Sequence, residues 1–139
     1  MKLYTEIKII GTPEQIWECL TDFTSYLDWN PFIKSIKGEA KQHAKLQVQI
    51  DTMTFTPIVI EAIACVRFSW LGKLFIKGLF DGLHSFEITP LANGTCLLVQ
   101  QEEFKGILVP LLAKKLKTET LAGFHAMNKA LKQRVEQSE

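Results

Sequence analysis

Leu108-Val109-Pro110-Leu111-Leu112-Ala113-Lys114-Lys115-Leu116-Lys117-Thr118-Glu119-Thr120-Leu121-Ala122-Gly123-Phe124-His125-Ala126-Met127-Asn128-Lys129-Ala130-Leu131-Lys132-Gln133-Arg134-Val135 is the stretch that decides the fold. Within it Leu108, Leu112, Leu116, Thr120, Phe124, Met127, Leu131 and Val135 recur every three or four residues, which is one continuous helical stripe. Lys114, Lys115, Lys117, Glu119, Lys129 and Gln133 occupy the opposite side. The pattern predicts a helix over 107–136, with Pro110 in the first turn, where its missing N–H costs little. Gly123 sits mid-helix, where glycine costs about 1 kcal/mol against alanine. Close approach of another element is a reason to keep it there.

Everything upstream has a different rhythm. Residues 2–10 alternate Leu3, Thr5, Ile7 and Ile9 against Tyr4, Glu6 and Lys8, the pattern of a half-buried strand. Thr12 caps a short helix, with Pro13 at its first position and Gln15 completing a capping box. Asp22 or Thr24 starts a second short helix that must stop near Asn30, before Pro31. From there the period is two: strands are expected at 32–38, 45–51, 53–64, 65–76, 79–89 and 95–104, with Asn93-Gly94 as a hairpin turn. The run 53–64 groups Ile58, Ile60, Ala62 and Ala64 on one side; 65–76 groups Val66, Phe68, Trp70, Leu74 and Ile76; 79–89 groups Phe80, Gly82, His84, Phe86 and Ile88. Consecutive strands on short turns form an antiparallel meander, and no intervening helix allows a parallel sheet. The expected architecture is α+β: a curved antiparallel sheet covered on its apolar face by the long helix, with the two short helices closing one end.

A chain of 139 residues is the size of one domain, so 1–139 is read as a single unit. Sixteen basic against 15 acidic residues give a net charge of +1, which offers no electrostatic footprint for nucleic acid. Cys19, Cys65 and Cys96 are an odd, sparse set without CxxC spacing, which fits buried thiols in a reducing compartment. No apolar run approaches a membrane span of about 20 residues, and Glu6 interrupts the N-terminus. The expected location is the cytoplasm.

Three segments then resemble a known group. They are Leu20-Thr21-Asp22-Phe23 with Tyr26 and Trp29-Asn30-Pro31-Phe32; Gly78-Leu79-Phe80-Asp81-Gly82-Leu83-His84-Ser85-Phe86; and Glu102-Glu103-Phe104-Lys105-Gly106-Ile107-Leu108-Val109-Pro110. They are similar to the START-like, Bet v 1-like superfamily, and more narrowly to its SRPBCC polyketide cyclase/dehydrase group. The resemblance implies a helix-grip fold, in which a seven-stranded antiparallel sheet grips the C-terminal helix around a deep cavity. The glycine-rich turn common after the second strand of such proteins is reduced here to Gly38 in 38–44. Such a fold serves carriers, cyclases and cochaperones alike.

The candidate site follows from the strand faces. Phe68, Trp70, Phe80, Phe86 and Phe104 share inward faces opposite Phe124 and Met127, as cavity wall or as packed core. His84 lies on the same face as Phe80 and Phe86, suited to hydrogen-bond a ligand or to move a proton, or else satisfied by a neighbour. Glu102 shares the parity of Cys96, Leu98 and Phe104, so it is the inward one of the Glu102-Glu103 pair and is able to meet His84 from the adjoining strand. Trp29 and Phe32 stand at the helix-to-strand corner near the expected mouth; Asn30 there ends the helix by bonding its own backbone.

His43, His84 and His125 have no metal-ligand spacing, and neither a GxSxG elbow nor a phosphate loop is present. No metal or cofactor is expected. The favoured function is binding or carriage of a small hydrophobic molecule, such as a lipid, isoprenoid or aromatic metabolite, since no reaction centre is recognisable. The alternatives are a polyketide cyclase/dehydrase-like enzyme using His84 and Glu102, and a cochaperone-like protein-binding module. Exposed strand edges allow a monomer or a weak homodimer.

Overall fold

The computed structural model describes residues 1–73 and 76–137. Strand β1 (Lys2–Ile10) leads into α1 (Pro13–Thr21), whose Thr12–Gln15 capping box satisfies two backbone N–H groups at its start. A 3₁₀ turn (Phe23–Ser25) and α2 (Tyr26–Trp29) follow, and the helix ends at Asn30 as Pro31 requires. Then come β2 (Ile33–Lys37), β3 (Gln47–Ile50), β4 (Met53–Phe55), β5 (Ile58–Ile63), β6 (Arg67–Lys73), β7 (Asp81–Pro90) and β8 (Thr95–Lys105). The chain closes with α3 (Val109–Lys115), a π-turn (Leu116–Thr120) and α4 (Leu121–Gln137).

The fold is the expected α+β helix-grip, with eight strands among the described residues instead of seven. One antiparallel sheet runs β1-β8-β7-β6-β5 and a smaller one β2-β3-β4. Residues 43–46 join them: Lys45 bridges to Ile58, and Leu46 N–H donates to Pro57 C=O at 2.8 Å. The extra strand arises because the run 53–64 is broken. Asp51, at φ 55°, turns β3 into β4, and Pro57, which has no N–H, separates β4 from β5.

The same break, with a bulge between Val59 and Glu61, changes which residues face inward. Val59 is buried, whereas Ile58 and Ile60 are exposed, so the first half of the apolar side read for this run faces solvent; past the bulge Ala62, paired with Phe68, packs on the core as read. Phe68 and Trp70 point inward as expected, but Val66 and Ile76 lie outside the strand and are exposed; Leu74 falls outside the described residues. On β7 the inward set Gly82, His84, Phe86 and Ile88 stands as read.

The helical stripe is interrupted by the π-turn, which has a geometric cause. From Leu108 to Phe124 the stripe residues are spaced by four, and each such step advances about 40° past a full turn, or roughly 160° in total. A π-turn inserts one residue and brings Phe124, Met127, Leu131 and Val135 back onto the sheet. All four are buried, with Met127 and Leu131 among Ile9, Ile16, Leu20, Phe68, Phe86 and Leu98.

Candidate functional site

Register across the large sheet sets up three inward rows. The first is Phe68–Phe86–Gln100–Thr5, the second Trp70–His84–Glu102–Leu3, and the third Gly72–Gly82–Phe104. In the first row two buried phenylalanines fill the space under α4. In the third, two adjacent glycines leave it empty. The result is a cavity of about 480 Å³ at that end, with Phe32, Trp70, Phe80, Phe104, Leu112 and Leu116 supplying apolar wall. A volume of this size suits a small organic ligand. Lys34, Lys73 and Lys115 also line it, as do Asp51 and Glu119.

The sheet-borne polar group of the cavity wall, largely buried, is the His84–Glu102 pair. The two residues face each other directly across β7 and β8, and His84 Nδ1 lies 3.1 Å from Glu102 Oε1. His84 is nearly wholly buried, with Trp70 stacked on its ring at 4.8 Å and Phe86 and Phe124 each 4.9 Å away. Its Nε2 meets Gln100 Oε1 at 3.0 Å. Both ring nitrogens are therefore engaged, and among the described residues the pair's open acceptor is Glu102 Oε2. That oxygen lies against Gly82, where a Cβ would collide with it.

Behind His84 the network continues away from the cavity. Gln100 Nε2 donates to Asn128 Oδ1 at 2.7 Å and to Phe124 C=O at 3.3 Å. Asn128 Nδ2 donates to Thr5 Oγ1 at 2.8 Å, and Thr5 donates to Gln100 C=O at 2.7 Å. Buried polar side chains satisfied in this way rigidify the groups they hold.

Of the residues singled out from sequence, the structure brings Phe32, Trp70, Phe80, His84, Glu102 and Phe104 to the cavity. Phe68, Phe86, Phe124 and Met127 are buried in the packed core instead. Trp29 packs edge-on to Tyr26 at 5.1 Å and lines a separate cleft with Cys19, Asp22 and Arg134. Asn30 Oδ1 accepts from the N–H groups of Phe32 and Ile33 at 2.9 and 2.8 Å, holding the corner.

Sequence reasoning missed the small sheet's contribution, including Val48, Ile50, Met53 and Phe55, because the period-two pattern runs β4 and β5 together as one strand and hides the β3–β4 hairpin. It also missed Gln100, although that residue shares the parity used to place Glu102. Among the described residues no three His, Cys, Asp or Glu side chains gather as a metal site, and no helix is long and apolar enough to cross a membrane.

A family model for polyketide cyclase/dehydrase and lipid transport matches residues 1–136. The chain belongs to this family. The fold agrees with solved members of the START and Bet v 1-like superfamily. A START superfamily protein of Mycobacterium smegmatis superposes with TM-score 0.74 at 24% identity, covering 99% of each chain. A hypothetical protein of Helicobacter pylori reaches TM-score 0.84 at 18% identity over 97% of this chain and 88% of its own. Norcoclaurine synthase of Thalictrum flavum, in complex with dopamine and hydroxybenzaldehyde, gives 0.76 at 12% identity, covering 100% of this chain and 88% of the synthase. These identities speak for the fold alone. No curated protein matches the sequence. Family members often bind hydrophobic ligands.

Proposed function

We propose that this family member binds a small hydrophobic molecule in the cavity between the third sheet row and α3, with Glu102 meeting the ligand's polar end. The observation that carries the reading is the alignment of Gly72 with Gly82 beside Phe104, which opens about 480 Å³ of largely apolar space where the neighbouring rows are filled. Each Å² of apolar ligand surface removed from water contributes roughly 25 cal/mol. The aromatic wall of Phe32, Trp70, Phe80 and Phe104 is preformed, so little ordering opposes binding.

The test is native mass spectrometry of freshly purified protein with extraction of bound compounds, alongside titration with a neutral apolar fluorophore such as N-phenyl-1-naphthylamine. Leu112→Trp projects an indole into the cavity from α3 and is expected to abolish fluorophore binding while the protein stays folded. Unchanged binding in the folded variant would place the ligand elsewhere and sink this reading.

A second reading is supported by the His84–Glu102 contact of 3.1 Å in the wall of a largely apolar cavity. A carboxyl paired with an imidazole is equipped for proton transfer, as a cyclisation or dehydration requires. Chemical conversion of the extracted compound on incubation with protein, lost in Glu102→Gln, would favour this enzyme reading. Recovery of the compound unchanged favours carriage.

A further inference from the structure

The hydrogen bonds behind Glu102 have a fixed direction, and that direction decides what Glu102 offers the cavity. A backbone carbonyl only accepts. Thr5 spends its hydroxyl proton on Gln100 C=O at 2.7 Å, so toward Asn128 it is an acceptor. Asn128 must then present its NH₂ to Thr5 and its Oδ1 to Gln100. Phe124 C=O, accepting from Gln100 Nε2 at 3.3 Å, anchors the Gln100 amide the same way independently. Gln100 Oε1 therefore faces His84 Nε2, and that nitrogen carries a proton.

The contact between His84 Nδ1 and Glu102 Oε1 at 3.1 Å then contains one more proton. It sits on Nδ1, giving imidazolium and carboxylate, or on Oε1, giving imidazole and carboxylic acid. In both arrangements Oε2 is bare. It has no hydrogen-bond donor among the described residues, and it borders the cavity beside Gly82. A ligand that buries this oxygen without donating to it leaves an acceptor stripped of water.

We infer that the cavity selects an apolar ligand whose inner end carries a hydrogen-bond donor, a hydroxyl, phenol or amine, and disfavours one ending in a carboxylate or in an acceptor-only group such as an ether. This inference rests on the binding reading and adds its chemical sign. The other charged groups lining the cavity, Lys34, Lys73, Asp51, Lys115 and Glu119, come from β2, β6, the β3–β4 turn, α3 and the π-turn; Glu102 alone comes from β8, within the pair with His84.

The test is displacement of N-phenyl-1-naphthylamine from the whole chain by 1-decanol, nonyl methyl ether and decanoate near pH 8. In the wild type, decanol is expected to displace the dye at a concentration about tenfold or more below that of the ether. Decanoate is expected to be weaker than decanol. In Glu102→Gln the amide both donates and accepts, so the alcohol-to-ether ratio is expected to fall at least severalfold and decanoate to gain. Equal displacement by alcohol and ether in the wild type overturns the inference while leaving the binding reading intact, and this arm needs no variant. Failure of the dye and all three competitors to bind overturns both.

Discussion

Gly123 on α4 lies directly against the ring of Phe32: a Cβ at position 123 would overlap Cδ1 and stand 3.1 Å from Cγ. This contact explains a glycine in the middle of a helix. It also seats Phe32 edge-on to Phe124 at 5.5 Å, with its other side in the cavity wall. Gly123→Ala should therefore gain about 1 kcal/mol of helix propensity and lose roughly 1–3 kcal/mol to overpacking, a net destabilisation. In a Phe32→Ala background the overlap is gone and the same substitution should stabilise. Urea denaturation of the four proteins checks the reversal of sign; stabilisation by Gly123→Ala alone would refute the steric account.

Gly82→Ala should act on the site more than on the fold. The new methyl meets the far end of the Glu102 side chain, which can shift aside at the expense of its His84 contact. We expect a melting temperature within a few degrees of wild type and an apolar-probe affinity at least several-fold weaker. At Gly72 a Cβ would meet only Pro57 at 3.7 Å, so Gly72→Ala should take up cavity space without displacing Glu102 and weaken the probe less than Gly82→Ala does.

Asn128 is buried between Gln100 and Thr5. Asn128→Leu leaves Gln100 Nε2 with one long bond and Thr5 Oγ1 without its donor. The expected cost is about 1–3 kcal/mol, read as a lower urea midpoint at unchanged slope. An unchanged midpoint would mean that the network contributes nothing to stability.

Burial pushes the Cys19 thiol up to about 11. At neutral pH it is protonated, and the thiolate is the reactive form. Iodoacetamide should therefore modify Cys19 slowly at pH 7 in the native protein and much faster after unfolding, as read by peptide mass spectrometry. Rapid native labelling at pH 7 would contradict the burial.

Two carboxyls sit below their ordinary values: Asp22 because Ser25 and Thr24 donate to it, Glu136 because Ile10 N–H and then Lys132 do. Their charged forms are favoured by folding, so their contribution is complete above the ordinary carboxylate values of 3.8 and 4.5 and fades as pH falls through the depressed ones. The urea midpoint should hold between pH 7 and pH 5.5 and drop toward pH 3. Asp22→Asn with Glu136→Gln should flatten that drop; an equally steep fall would assign it to other groups.

The element order was legible because its signals are local. Period two marked the strands, the capping box at Thr12 and Gln15 marked α1, and the stripe through Phe124 and Val135 marked α4. Parity along β8 placed Glu102 inward beside His84. Parity failed at Ile58 and Ile60, where Pro57 and a bulge reset the alternation, and a stripe spaced by fours hid a π-turn.

Local periodicity therefore carried the element types, their order apart from the β4–β5 break and the π-turn, and the polar residues that share a face with apolar ones. Periodicity is a property of neighbours along the chain and needs no partner. Only the tertiary structure decided where the space between sheet and helix is filled and where it is open. That depends on register, which sets Gly72 beside Gly82 and Phe68 beside Phe86. It also decided the direction of the protons behind Glu102, because Thr5, Gln100 and Asn128 meet only once β1, β8 and α4 are packed together.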